Sequence, residues 1–353
     1  MTPISRAVVV GTGLIGGSIG LGLRRQGWHV TGRDLDDRRA ARALELGALD
    51  AVGDDPTADM TFVCTPVRSI AGEASAALAG GGVVTDVGSV KKPVVAGLSH
   101  PRFVGGHPMA GSEQEGVDGA DASLFEGATW VLTPTVDTDA EAYTRVRSVV
   151  AALGADVVAL HPDQHDELVA LVSHVPHLAA ATLMTLAAEE TEAHAAVLRL
   201  AAGGFRDMTR VAAGHPGIWP DICAENRDAI VVARERLLAA LSTMRDVVAS
   251  DDRPALLAAL EGARAARVNL PGRVVTAVGL AELRVPVPDR PGVLADVTTL
   301  LGELGVNIVD LEIAHSVEGP QGVLVGVVEE RDAAAACKEL VQLGYRPSSR
   351  TLE

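Results

Sequence analysis

The chain has little of what would place it in several large protein classes. Only three of its 353 residues are cysteines, Cys64, Cys223 and Cys337. They lie far apart and form no C-x-x-C pair. This argues against a disulfide framework or a cysteine-rich zinc site, so no metal is expected, and it fits a reducing cytoplasm. Positive charge is scarce as well: 30 basic residues stand against 46 acidic ones, for a net charge of −16. That balance argues against nonspecific binding to nucleic acid or to an anionic membrane. Lysine occurs only as Lys91, Lys92 and Lys338. An anionic substrate would therefore need arginines or lysines placed locally to overcome the global field. Polar residues and glycines interrupt every apolar stretch short of the roughly 20 residues that a membrane helix needs. The opening MTPISRAVVVGTG runs straight into a strand without a charged n-region or a long apolar h-region, so no signal peptide is expected.

What is present is an apolar content of 48%, enough to fill the cores of two or three domains. Strand and helix alternate at first. Ala7–Val10 and Trp28–Gly32 read as strands, Leu14–Gln26 and Asp36–Leu46 as helices, and Met60–Cys64 and Val83–Val87 as further apolar strands. Thr129–Leu132 and Ala155–Leu160 add later strands around a helix at Asp139–Leu153. This order predicts a doubly wound parallel sheet over residues 1–160. From Pro162 the strand signals stop. Long Ala/Leu helices follow, about Pro162–Glu189, Thr191–Leu200, Pro220–Ser250 and Pro254–Val268, giving an all-helical domain over 161–272. Glu167–Ala188 is apolar nearly all round, which predicts burial, and in a chain of this size burial against a second subunit in a homodimer. After the break at Asn269-Leu-Pro-Gly-Arg273, residues 280–353 give the order βαββαβ of a small ferredoxin-like unit.

Gly11-Thr-Gly13-Leu-Ile-Gly16 follows a strand and opens a helix. Gly11 allows the tight turn, Gly13 lets the backbone approach a pyrophosphate, and Gly16 lets helix and strand pack closely. The first helical amides, those of Leu14, Ile15 and Gly16, then receive the phosphates. Asp34 stands at the spacing of the acidic residue that binds the adenosine ribose. The set points to a nicotinamide dinucleotide and an oxidoreductase. Asp34 would repel a 2′-phosphate and so favours NAD over NADP; Arg33, Arg38 and Arg39 are the residues that would favour NADP instead. The Thr65-Pro66 corner ends a strand where ligands of such sheets lie, and is either part of this site or a plain turn.

Three further clusters carry chemistry. They are Asp86-Val-Gly-Ser89-Val-Lys91-Lys92; Gly105-Gly-His107-Pro-Met-Ala-Gly111-Ser-Glu113; and Ser173-His174-Val-Pro-His177, joined by Gly203-Gly-Phe-Arg206-Asp-Met-Thr-Arg210 and by Trp219-Pro-Asp-Ile-Cys-Ala-Glu225-Asn226. A neutral histidine such as His107 can accept a proton as hydride leaves, and a guanidinium such as that of Arg210 can hold a carboxylate bidentately. His174 and His177 share a helix face. A metal would also suit that spacing, but no third ligand accompanies them, and His174 reads as structural. Lys91 and Lys92 either raise the potential for an anionic substrate or are solvated lysines at a helix start. Ser89 reads as a substrate contact, as a helix cap, or as both.

Taken in order, these clusters resemble the prephenate dehydrogenase family, which includes arogenate dehydrogenases. The resemblance covers about Val8–Val268. The stretch Val285-Pro-Val-Pro-Asp289-Arg-Pro-Gly292-Val-Leu-Ala-Asp296, with Asn307 beyond it, looks like an ACT regulatory domain. The resemblance implies NAD-dependent oxidative decarboxylation of prephenate to 4-hydroxyphenylpyruvate, a step of tyrosine biosynthesis. His107 matches the family's catalytic histidine and Ser89 the serine that bonds the substrate hydroxyl. Arg210 matches the arginine that binds a substrate carboxylate, and His177 a pocket histidine. Glu113 matches a gating residue at the pocket entrance, and Trp219 is either a wall of the pocket or a buried aromatic at a helix start. The ACT resemblance implies feedback by an aromatic amino acid, tyrosine first, with Gly292 and Asn307 at ligand-loop positions. The rival readings are arogenate dehydrogenase and a non-catalytic, NAD-sensing regulator.

Overall fold

The structure, a computed structural model, describes residues 5–112, 114, 116–193, 199–269, 280–288, 293–315 and 321–352. The chain divides into two compact units, Met1–Asn269 and Leu270–Glu353.

The first unit is built on an eight-stranded sheet. Its strands are β1 (Arg6–Val10), β2 (His29–Arg33), β3 (Ala51–Val52), β4 (Met60–Val63), β5 (Val83–Asp86), β6 (Phe103–Pro108), β7 (Thr129–Thr133) and β8 (Asp156–Ala159). They lie in the order β3-β2-β1-β4-β5-β6-β7-β8. Pairing is parallel from β3 through to β6, as the alternating pattern predicts. The expectation of an all-parallel sheet needs one correction, because β7 runs antiparallel to β6. β4, β5 and β6 are buried along their whole length, so none of them shows the alternation of a half-exposed strand. Successive strands step one way from β1 and the other way from β4, so a crevice opens between the C-terminal ends of β1 and β4.

β6 was not evident as a strand, since Gly105-Gly106 reads as a turn. Tertiary packing dictates it: a Cβ on Gly106 would come 2.6 Å from the Asp86 carbonyl oxygen. Helices connect and cover the sheet: α1 (Leu14–Arg25), α2 (Asp37–Glu45), α3 (Val67–Leu78), α4 (Lys92–Ala96) and α5 (Ala140–Ala152). Asp36 caps α2 by accepting from the Arg38 amide, and Asp139 caps α5 by accepting from that of Glu141. The main core gathers Ile19, Leu23, Phe62, Phe125 and Trp130.

The helical part contains α6 (Pro162–Val169), α7 (Val175–Ala193), α8 (Gly203–Thr209), α9 (Trp219–Glu225), α10 (Arg227–Ala249) and α11 (Arg253–Val268). The helix expected at Thr191–Leu200 lies mostly outside the described residues. The single helix expected over Pro220–Ser250 is two, broken at Asn226, whose φ of −112° and ψ of 28° leave the helical region. α6 and α7 are joined without interruption by a wide turn at Ala170–His174, where the Val175 amide donates to the Ala170 carbonyl five residues back. Pro176 follows at once. It has no amide to close the ordinary turn, and its ring would crowd the carbonyl four residues earlier, so the wider turn accommodates it. The resulting Pro162–Glu190 helix is long and apolar enough to cross a membrane by length and composition, with a mean hydropathy of 1.5 in its best window. This corrects the expectation that no such stretch exists. In the single chain Leu168, Leu171, Val172 and Leu186 are exposed, so this chain alone does not supply the burial expected for Glu167–Ala188.

The second unit has β9 (Leu280–Pro288), α12 (Val293–Glu303), β10 (Ile308–His315), β11 (Gln321–Glu329), α13 (Glu330–Gln342) and β12 (Ser348–Leu352). The order βαββαβ and the antiparallel sheet order β10-β11-β9-β12 are those of the expected ferredoxin-like unit. Leu283, Val285 and Val287 alternate inward along β9 onto a core with Val297, Leu301 and Leu340. Pro286 and Pro288 are tolerated because β12 pairs with β9 only as far as Arg284, so that flank of the strand is an edge from Val285 onward.

Candidate active site

Gly11 closes β1 with φ +94°, and a Cβ there would come 2.5 Å from the Cys64 carbonyl oxygen at the end of β4. Only glycine fits this junction. A Cβ on Gly16 would come 1.9 Å from the Gly11 carbonyl oxygen, so helix and turn are in direct backbone contact. Gly13 differs, since nothing lies within 4 Å of its Cβ position. The start of α1 beside it has no side-chain cap and no acidic residue in its first turn, with Leu14 and Ile15 half-buried. An uncapped helix start facing open space is what a pyrophosphate requires. Thr65, opposite, holds a buried hydroxyl without a hydrogen-bond partner among the described residues, and Pro66 is exposed at the head of α3.

Asp34 does more than the spacing suggested. One carboxylate oxygen accepts from the Thr12 amide at 2.8 Å and from its hydroxyl at 3.3 Å, and the other accepts from the Asp36 amide. The residue braces the glycine turn while setting negative charge at the crevice. Of the nearby arginines, Arg33 pairs with Asp54 and Glu73, and Arg38 with Asp36. Arg39 is exposed and has no ion pair among the described residues. The residues present therefore fit a dinucleotide.

The end of β5 leads to the second half of the site. Asp86 is buried; one of its oxygens accepts from the Gly106 amide and the other from the Gly88 amide and the Lys91 ammonium. Lys91 is 0% exposed. This overturns the solvated reading for Lys91: its ammonium is the buried counter-charge that holds Asp86 and, through it, the β6 backbone beside His107. Burial lowers the Lys91 pKa while Asp86 opposes that shift. Lys92 is exposed and pairs with Asp163. Ser89 is half-buried and is not a helix cap, since Lys91 takes the N-cap position of α4; among the described residues its hydroxyl has no partner.

His107, at the end of β6, is 9% exposed. Its Nδ1 lies 2.9 Å from Nε2 of His165, and His165 Nδ1 lies 2.7 Å from Asp166 Oδ1. An ionised carboxylate only accepts, so His165 donates from Nδ1, and with a neutral ring its Nε2 accepts. His107 must then carry its proton on Nδ1, which leaves Nε2 as a lone pair. Burial first, and then His165, Lys91 and His174, hold the His107 pKa well below 6.5. Asp166 is fixed by the amides of Lys91 and Lys92, each at 2.8 Å.

From Asp166 the network continues. Asn226 donates to the Asp166 carbonyl at 2.9 Å and to His174 Nδ1 at 3.2 Å. His174 is 1% exposed, and its Nε2, left as the donor, has no partner among the described residues. Burial lowers its pKa to about 4. The His174 ring meets Trp219 edge-on at 6.1 Å, and His177 stacks on Trp219 at 3.6 Å. Burial also lowers the pKa of His177. Arg210 is exposed and opens the turn Arg210–Ala213, and the next residue, Gly214, lies against the His177 ring. Arg68 on α3 pairs with Asp221 on α9, tying the sheet half to the helical half. Glu113 lies outside the described residues, as does Gly292. Asn307 is exposed just ahead of β10 in the second unit.

The structure thus brings His107, His174, His177 and Trp219 into one connected region and adds His165 and Asp166, to which the sequence reading assigned no role. Comparison with known proteins points the same way. Residues 19–159 match the family model "Prephenate dehydrogenase, nucleotide-binding domain", residues 161–262 "Prephenate dehydrogenase, dimerization domain", and residues 281–340 "ACT domain". A prephenate dehydrogenase of Bacillus subtilis (strain 168) is 34% identical over 335 residues, covering 90% of each chain. The solved prephenate dehydrogenase of Aquifex aeolicus, in complex with hydroxyphenyl propionate and NAD+, superposes with a TM-score of 0.71 at 30% identity, over 75% of this chain and 98% of that one. Synechocystis arogenate dehydrogenase gives 0.65 at 32% identity, over 74% and 98%. The chain belongs to the prephenate dehydrogenase family.

Proposed function

We propose that this enzyme catalyses the NAD-dependent oxidative decarboxylation of prephenate to 4-hydroxyphenylpyruvate in tyrosine biosynthesis. The observation that carries the reading is His107: a buried, neutral imidazole whose Nδ1 proton is committed to His165 and whose Nε2 is left as an acceptor. Gly11, Gly13, Leu14, Ile15, Gly16, Asp34, Thr65 and Pro66 hold the dinucleotide, which supplies the hydride acceptor. Ser89 donates to the substrate's ring hydroxyl, and His107 Nε2 takes the hydroxyl proton as hydride departs. Loss of carbon dioxide makes the ring aromatic, so the protein needs no group to drive that step. Arg210 and His177 hold the carboxylates against the wall formed by Trp219, and Glu113 gates the entrance.

The division is 1–160 for the cofactor domain, 161–272 for the helical domain and 280–353 for the ACT unit. The exposed Leu168, Leu171, Val172 and Leu186 support a homodimer through the helical domain rather than contact with lipid. Three free cysteines agree with a cytoplasmic setting. Tyrosine is the proposed effector of the ACT unit, near Asn307 and Gly292.

The deciding experiment is turnover of purified enzyme with prephenate or arogenate and with NAD or NADP. Reduction of NAD by prephenate supports the reading. Faster turnover of arogenate transfers it to the arogenate class, and no turnover of either substrate favours a cofactor-sensing regulator.

A further inference from the structure

His107 is poorly placed to keep the proton it accepts. It is buried, and Lys91 and His174 are the charged or chargeable groups acting on it besides His165. His165 is different. It is 0% exposed, but its Nδ1 is bonded to a carboxylate that two backbone amides pin in place. His165 is bonded to Asp166 on its own helix and to His107 from β6, and it acts electrostatically on His174 at the wide turn. Lys91, Lys92 and Asn226 reach it through Asp166, and β7 presents no titratable side chain.

We propose that His165 and Asp166 form a proton relay behind His107, so that the charge created by substrate oxidation is stored at His165 and not beside the cofactor. The substrate O–H bond breaks as a bond forms to His107 Nε2. The His107 Nδ1–H bond breaks as one forms to His165 Nε2. His107 ends neutral with its proton on the opposite nitrogen, and His165 ends as an imidazolium. No electrons move in these hops; the hydride pair goes to the dinucleotide. Asp166 stays ionised and compensates the imidazolium, as a buried aspartate does behind a catalytic histidine. Asp166 and Asn226 also line a cavity of about 460 Å³ with Lys92, Asp163, Glu167 and Arg236, which offers the stored proton a way to acceptors outside the crevice.

The inference rests on the oxidative reading above, and its test separates the two. In the substrate-free wild-type enzyme, ¹⁵N NMR of the imidazoles is expected to show His107 protonated at Nδ1 and not at Nε2. The Nε2 tautomer at His107 would overturn the relay whatever the enzyme's substrate. His165→Gln adds the kinetic arm, because the glutamine oxygen can accept from His107 but cannot take up its proton. With prephenate, kcat is expected to fall roughly tenfold, less than the 10²–10⁴ of a lost general base, with KM within about twofold. The rate in H₂O/D₂O mixtures should change from a two-proton to a one-proton dependence. Wild-type kcat with the two-proton dependence retained would sink the proposal. Should this variant fail to fold, the wild-type tautomer still decides.

Discussion

Nδ1 of His107 and Nε2 of His165 stand 2.9 Å apart although 58 residues separate them in sequence, and their rings meet nearly edge-on at 73°. The contact joins the last residues of a sheet strand to the first turns of a helix, and it determines which nitrogen of His107 faces outward.

The first expectation concerns that nitrogen. His107→Asn should lower kcat by roughly 10²–10⁴ while leaving the KM for prephenate nearly unchanged, because a proton acceptor is removed and not a binding contact. Steady-state kinetics decide the point, and an unaltered kcat would take His107 out of the mechanism.

Arg210→Ala should show the opposite pattern. A charge-assisted contact to a carboxylate contributes about 1.5–3 kcal/mol, so KM should rise on the order of 10- to 100-fold with a smaller change in kcat. If KM stays at the wild-type value, the carboxylate lies elsewhere.

Stability should depend on pH through the buried histidines. His174, lowered to about 4, and His107, held well below 6.5, are neutral in the folded protein, whereas the unfolded chain protonates both near 6.5. Between those values the unfolded state binds more protons, so stability is fully present above about pH 6.5 and falls as pH drops toward 4. Thermal unfolding at a series of pH values should show Tm declining across this window and level above it. A Tm that is flat from pH 7 to 4 would contradict the burial of these rings.

Lys91→Met should be costly. The substitution leaves Asp86 as an uncompensated buried charge, a situation that typically costs about 3–5 kcal/mol. Adding Asp86→Asn should recover part of that loss, since the asparagine oxygen can still accept from one of the two amides that Asp86 serves. Denaturant unfolding of the single and double variants checks this, and additive losses would mean that the two side chains are not a pair.

Features that depend on local chemistry were legible in the sequence. The turn at Gly11–Gly16 is written in glycines because each position has its own backbone demand, and the βαββαβ order of the second unit follows from clear alternation and punctuation. Features that depend on distant packing were not. Gly105-Gly106 belongs to a strand because Asp86 lies against it, and no local signal carries that. Asn226 breaks a run that reads as one helix, and it is placed at the break to bond Asp166 and His174. Lys91 looks like any lysine at a helix start until Asp86 is brought beneath it. His165 and Asp166 were passed over because nothing within their own helix distinguishes them; their partners come from β6 and from the loop before α4.

The wide turn at Ala170–His174 has a mechanical consequence. It makes one rod of α6 and α7, with His165, Asp166, His174 and His177 on turns that also carry the exposed Leu168, Leu171 and Val172. Successive residues of a helix are about 100° apart around its axis. The outward apolar residues and the inward histidines therefore belong to one continuous helix, and neither set can be re-registered by a full turn without moving the other.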